Sequence, residues 1–192
     1  HIINSGWNGL FYGGAIDVIA ELDGGAAVGV PVITAGVSML IPLLTNRGKS
    51  IDYDALVMNM HGKSIGWVDG LSLATLVGGE KAWQSDSSNN YKYTVGFGAL
   101  SSIGMGILGN HLARNNEWTE GQVELYRLYG WVGPLTGFCI TASFSDEPRL
   151  FGASALVLGA GGYLLGNSIN NWYEYSRGGM RASEMIAGLN TG

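Results

Sequence analysis

Charged residues are scarce in this sequence. They fill 13% of its 192 positions, about half the share usual in soluble domains. Ten Lys and Arg, single apart from the nearby pair Arg177 and Arg181, set against a net charge of −5, do not make the clustered basic surface that displaces counterions from a nucleic acid. Nucleic acid is therefore not an expected partner. A single cysteine, Cys139, excludes an internal disulfide and any multi-cysteine metal site. Its apolar setting, Gly137-Phe138-Cys139-Ile140-Thr141, predicts a buried, unreactive thiol.

Catalytic and ligand-binding patterns are equally thin. His1, His61 and His111 have no second His or Cys at zinc-ligand spacing. Asp52, Asp54 and Asp146-Glu147 are too sparse for a calcium loop and read as solvated turn acids. Ala155-Leu156-Val157-Leu158-Gly159-Ala160-Gly161-Gly162 approaches a phosphate-binding turn, but Leu164 stands where the third glycine is needed. No catalytic residue, cofactor or metal is expected, and the chain is not read as an enzyme.

Glycine, by contrast, is abundant: 32 residues, in a chain that is 46% hydrophobic with a mean hydropathy of +0.17. That balance predicts order. The glycines fall into a repeat. Gly6-Trp7-Asn8-Gly9-Leu10-Phe11-Tyr12-Gly13 matches Gly130-Trp131-Val132-Gly133-Pro134-Leu135-Thr136-Gly137, while Gly66–Gly70 and Gly188–Gly192 keep the final G-x-x-x-G. Between them lie apolar segments of a second kind, around Gly36, Gly104 and Gly161. The half-repeats centre near 9, 36, 66, 104, 133, 161 and 188, and two make a unit of about 57 residues. The longest spacing contains a polar loop insertion over 80–92.

A half-repeat near 28 residues suits one helix of about 18–20 residues plus a connector. The expected fold is therefore all-α: a single array over 1–192 of stacked helical hairpins packed through small-residue faces. Glycines one turn apart let helix backbones approach closely, and Gly9, Gly13, Gly66, Gly70, Gly133, Gly137, Gly162 and Gly166 are the candidate helix-packing residues. Trp7, Trp67 and Trp131, beside such glycines, are expected to wedge into the contacts. Thr119-Glu120-Gly121-Gln122 has the spacing of a capping box. Pro31, Pro42 and Pro134 are expected to kink or end their helices. The alternative is a segment of a membrane β-barrel, drawn from the alternation of Tyr91, Tyr93, Val95, Phe97 and Ala99 with smaller or polar neighbours.

Residues 24–46, 93–113 and 150–173 carry no charge and are long enough to cross a bilayer. Their many Gly, Ser, Thr and Asn residues, with Asp17, Glu21 and Asp69 in the other segments, favour a soluble or membrane-associated bundle over separate spans. The chain starts and stops within the first segment type, so a window on a longer array is expected.

The runs Gly109-Asn110-His111-Leu112-Ala113-Arg114, Thr119-Glu120-Gly121-Gln122 and Gly130-Trp131-Val132-Gly133 resemble the glycine-rich, glycine-zipper helical repeats of uncharacterised bacterial envelope proteins. The resemblance implies a non-catalytic structural or assembly segment in the cell envelope, membrane-associated or periplasmic. Its partners would be other segments of the same protein or other subunits, with a membrane as a further partner. The alternative is a membrane-embedded channel or transporter piece with proline-interrupted helices.

Overall fold

The computed structural model describes residues 2–45, 52–84, 90–116 and 118–172. They form six α-helices: α1 (Ile2–Ala20), α2 (Gly25–Thr45), α3 (Tyr53–Gly78), α4 (Asn90–Asn115), α5 (Glu120–Ala142) and α6 (Pro148–Trp172). A short 3-10 helix, Gly79–Trp83, follows α3. The all-α expectation holds, and the barrel alternative does not. Tyr91 to Ala99, whose alternation suggested a strand, lies inside α4. Alternating positions such as Tyr91 and Tyr93 lie about 200° apart on a helix, so the alternation there does not mark one face.

Local chemistry explains several helix ends. Asp52 caps α3, its carboxylate accepting from the Asp54 and Ala55 amides at 3.1 and 3.3 Å. Thr119 and Gln122 form a reciprocal box at the start of α5. The Thr119 amide donates to Gln122 Oε1 at 2.9 Å, and the Gln122 amide donates to Thr119 Oγ1 at 3.4 Å. Left-handed residues turn the chain after α1, at Glu21 (φ 52°) and Gly24 (φ 56°), and after α3 at Gly79 (φ 58°). The polar insertion begins with the 3-10 helix, whose Ala82 is buried, and α4 resumes at Asn90. Residues 85–89 of that insertion, and the last glycine motif at 188–192, lie outside the described residues.

The prolines neither end nor exclude helix: α2 runs through Pro31 and Pro42, and α5 through Pro134. Pro134 is among the most deeply buried side chains of the protein. Its ring lies 3.2 Å from where a Cβ on Gly159 would stand. Packing against a glycine of the neighbouring helix offsets the hydrogen bond that the ring removes.

The helices pair as three antiparallel hairpins, α1–α2, α3–α4 and α5–α6. Hairpins join where α4 meets α1 and where α6 and α5 meet α3, giving the order α2, α1, α4, α3, α6, with α5 packed against both α6 and α3. Tyr12 bonds Ser102 and Glu21 pairs with Lys92, so α1 also runs against α4 and therefore with α3. All odd helices point one way and all even helices the other. The starts of α1, α3 and α5 define a near end, and the loops after them define a far end.

The side chains are sorted in an unusual way. Among the described residues glycine, alanine, serine and threonine dominate the inside, with Met58, Ile65, Val123, Leu125 and Tyr126 as larger buried side chains. Large aliphatic and aromatic groups point outward on every helix, as with Leu10 and Ile16 on α1, Val32 and Leu40 on α2, and Leu100 and Ile107 on α4. The exposed charged residues (Glu21, Asp23, Asp52, Glu80, Lys81, Arg114, Glu120, Asp146, Glu147 and Arg149) all lie in loops or within two residues of a helix end. The helices thus shield one another's glycines, not their large apolar side chains.

Replacing Thr119 by Ala removes the acceptor for the Gln122 amide, so Thr119→Ala should lose about 1 kcal/mol of stability, with Thr119→Ser near the parent. Equilibrium unfolding followed by circular dichroism measures both, and equal loss in the two variants would deny the box any role.

Candidate functional site

The protein's distinctive geometry is the contact between helices in each hairpin. In α1, a Cβ on Gly9 would lie 2.6 Å from the Thr34 carbonyl oxygen, and one on Gly13 would overlap Pro31 Cα. In α3, Cβ atoms on Gly66 and Gly70 would each stand 2.6 Å from a carbonyl oxygen of α4, those of Ser101 and Phe97. In α5, one on Gly133 would be 2.9 Å from Gly159 Cα, and one on Gly137 2.6 Å from the Ser154 carbonyl oxygen. On α6, a Cβ on Gly162 would strike the Tyr129 carbonyl, whereas one on Gly166 would meet only the Tyr129 side chain, at 3.4 Å. Seven of these eight positions therefore face backbone, and Gly166 faces a side chain at ordinary contact distance.

The same geometry separates the two segment types. Gly36, Gly104 and Gly161, the anchors of the second type, have nothing within 4 Å of a would-be Cβ. Even helices meet their partners through other residues, such as Pro31 and Ser38 of α2, Ser101 and Ser102 of α4, and Ser154 and Gly162 of α6. Gly62, Gly109 and Gly152 make further backbone contacts that the repeat did not mark. Gly62 lies four residues before Gly66, and the resulting G-x-x-x-G-x-x-x-G in α3 was the available signal.

The neighbours of these glycines depart from expectation where they lie on another face. Trp67 packs into the seam, with its ring 2.6 Å from a would-be Cβ on Gly98 and stacked beside Tyr12. Trp7 and Trp131 are exposed instead. All three stand about 100° round the helix from the preceding glycine, but at Trp67 a further helix, α1 with Phe11 and Tyr12, covers that face. Cys139 is exposed too, not buried. Two residues after Gly137 means about 200° around the helix, which places the thiol on the outer face of α5.

Close approach brings polar side chains of one helix to backbone carbonyls of the next. Asn59 donates to the Gly106 carbonyl at 2.8 Å, Ser102 to that of Lys63 at 2.7 Å and Asn110 to that of Ala55 at 3.2 Å. Three hydroxyl or amide pairs tie further helices together: Tyr12 with Ser102 at 2.9 Å, Tyr126 with Asn167 at 2.5 Å, and Thr141 with Ser154 at 2.7 Å. His61, 4% exposed, shares a hydrogen bond of 2.8 Å between its Nε2 and the Tyr163 hydroxyl, with Trp131 edge-on to its ring. His61 Nδ1 and Trp67 Nε1 are buried without a hydrogen-bond partner among the described residues.

The central helix α3 carries His61, Lys63 and Asp69 in the interior, and α5 carries Glu124, 5% exposed and paired with Arg127. Asp69 reaches towards α6, its Oδ1 4.0 Å from a would-be Cβ on Gly159. Cys139 and His61 do not meet: His61 lies against Gly130, nine residues before Cys139 and so about 13 Å away along α5. His111 instead bonds Asn115 on its own helix. No group of three or more His, Cys, Asp or Glu gathers among the described residues. The arrangement holds helices together.

Comparison with protein-family models, curated proteins and solved structures finds no match to this chain.

The seam glycines should respond oppositely to the open ones. Gly137→Leu forces a side chain against the Ser154 carbonyl and should cost about 1–3 kcal/mol. Gly161→Ala enters open space within a helix and should be neutral or stabilising by up to about 1 kcal/mol. Thermal unfolding of the pair is the measurement, and an unchanged Gly137→Leu midpoint would mean that the α5–α6 seam is not closely packed.

Proposed function

We propose that this chain is a non-catalytic assembly module of a bacterial cell-envelope protein, embedded in a membrane as a row of glycine-zipped hairpins. The observation that carries the reading is the sorting of side chains among the described residues: mostly small and polar groups between helices, many large apolar groups outward, and exposed charged residues in loops or near helix ends, with the partly exposed Arg127 paired to Glu124 two turns into α5. In water that outer surface would cost free energy over every helix, whereas lipid tails are as apolar as leucine and accept it. Lipid also removes the hydrophobic drive between helices and leaves packing and hydrogen bonds to hold them. Those are the two interactions that the seams provide.

Helix lengths agree. The shortest helix has 19 residues and the longest 26, or about 28–39 Å against a hydrocarbon layer of about 30 Å. Trp83, Tyr93 and Phe144, all exposed, cluster at far-end positions, the level favoured by aromatic side chains at a membrane surface. Among the described residues one helix, over Pro148–Ile169, is long and apolar enough to cross a membrane by length and composition. The other helices average their inward glycines and amides with their outward aliphatics, which lowers their mean hydropathy without changing the outer face.

A second reading, a transport pathway, draws support from His61, Lys63 and Asp69 on the central helix, since ionisable groups inside a membrane often mark ion or proton routes.

Membrane fractionation tests the first reading. The chain should remain in the membrane pellet through alkaline carbonate and leave it only with detergent; release by carbonate would sink the proposal. Purified protein in phosphatidylcholine vesicles should pass protons and potassium no faster than empty vesicles. Flux that disappears in Asp69→Asn would replace the scaffold by the transport reading.

A further inference from the structure

A cleft of about 650 Å³ opens between α4 and α6, with α3 as its floor. Ala160 on the α6 wall is exposed and has no side chain beyond Cβ to fill it, while Gly62 and Gly109 bring α3 and α4 together beneath it. Leu108, Leu112 and Leu164 form its rims, and Met58 and Met105 its inner surface. No Asp, Glu, Lys or Arg lines it. Its inner limit is the His61–Tyr163 pair, already joined by a hydrogen bond. At the other limit, where α4 ends and α5 begins, stand Asn116, Trp118 and Asn167.

From these features we infer that the cleft holds one acyl chain of a membrane phospholipid, with the head group at the near end. The inference rests on the membrane reading above. An uncharged, largely aliphatic lining excludes a free anion or cation and accepts hydrocarbon. Beyond the His61–Tyr163 pair, polarity rises at the near end, where Asn167 and Asn116, the latter already donating one amide hydrogen to the Leu112 carbonyl, can meet ester or phosphate oxygens and Trp118 stands at the level of an interfacial tryptophan. Tyr126 already donates to Asn167 Oδ1, which turns the acceptor inward and leaves the amide N–H groups for a ligand.

Size decides between a lipid and another helix. From Met105 to Asn116 the cleft follows eleven residues of helix, about 16 Å. An α-helix with side chains is about 10 Å across and would need about twice the available volume over that length. A single hydrocarbon chain is narrower, so a helix from a second copy is the poorer occupant. The bound chain would supply the wall that α4 and α6 do not complete, since the two helices touch α3 and scarcely each other.

The test uses the whole chain reconstituted in phosphatidylcholine nanodiscs, transferred to detergent and weighed by native mass spectrometry. The parent is expected to retain one phosphatidylcholine per chain. Ala160→Trp fills the cleft from its α6 wall and should retain at least tenfold less, while Val157→Trp, on the outward face of the same helix, should retain as much as the parent. Equal retention by Ala160→Trp and Val157→Trp, or detergent found as the sole adduct of the parent, overturns the inference and leaves the membrane reading standing. If the chain is monodisperse without detergent, the membrane reading fails and the lipid site fails with it. Circular dichroism of both variants in detergent shows that the helices are intact, so a loss specific to Ala160→Trp reports the cleft.

Discussion

Backbone meeting backbone at glycine is the contact on which the rest of this structure depends. At Gly66, Gly70 and Gly137 the facing carbonyl oxygen lies where a side chain would begin. Each such glycine costs about 1 kcal/mol of helix propensity relative to alanine. What offsets it is the density of contact at short range and the weak Cα–H···O interactions that helices at this distance make. Two further features follow. Short amides and hydroxyls, Asn59, Ser102 and Asn110, reach the neighbouring helix's carbonyls only because the axes are close. Few large side chains find room between the helices, Ile65, Leu125 and Tyr126 among them, and many others turn outward.

The resulting surface explains why composition describes this chain poorly. A mean hydropathy of +0.17 averages two populations that the fold separates. In α4, Thr94, Gly98, Ser102, Gly106, Gly109 and Ala113 are buried while Tyr93, Phe97, Leu100, Ile103 and Ile107 are exposed. The inward set has the helical periodicity of a core but the chemistry of a loop. Face, not average, carries the information about the solvent.

That distinction also marks how far the sequence could be read. Glycines in the first segment type were legible because their spacing repeats and has one physical use, and the capping box at Thr119 was legible because its chemistry is local. The alternation of segment types already implied hairpins. Angular position was not legible where a short motif suggested burial by proximity alone: Cys139, Trp7 and Trp131 sit near seam glycines along the chain yet point away from them. Gly36, Gly104 and Gly161 aligned as anchors, but equivalence in a repeat does not establish which face meets a partner. The role of His61 depends on Tyr163, 102 residues later, and no local pattern encodes that pairing. A denser cue was present in the polar run of α3, where Asn59, His61, Lys63 and Asp69 crowd one helix. Such crowding suits a helix surrounded on several sides, where polar groups find partners.

Every hairpin returns the chain to the end from which it started, since the odd helices share one direction and the even helices the other. Parity therefore governs how such an array can change in length. Gain or loss of a whole hairpin leaves every remaining helix with its original sense and every loop on its original side. Gain or loss of a single helix would invert all that follows, exchanging the near-end loops with the far-end loops and presenting each downstream seam to its neighbour upside down. Inheritance by pairs is thus the only route that preserves the contacts, and the two-segment period of the sequence is the mark that such a constraint would leave.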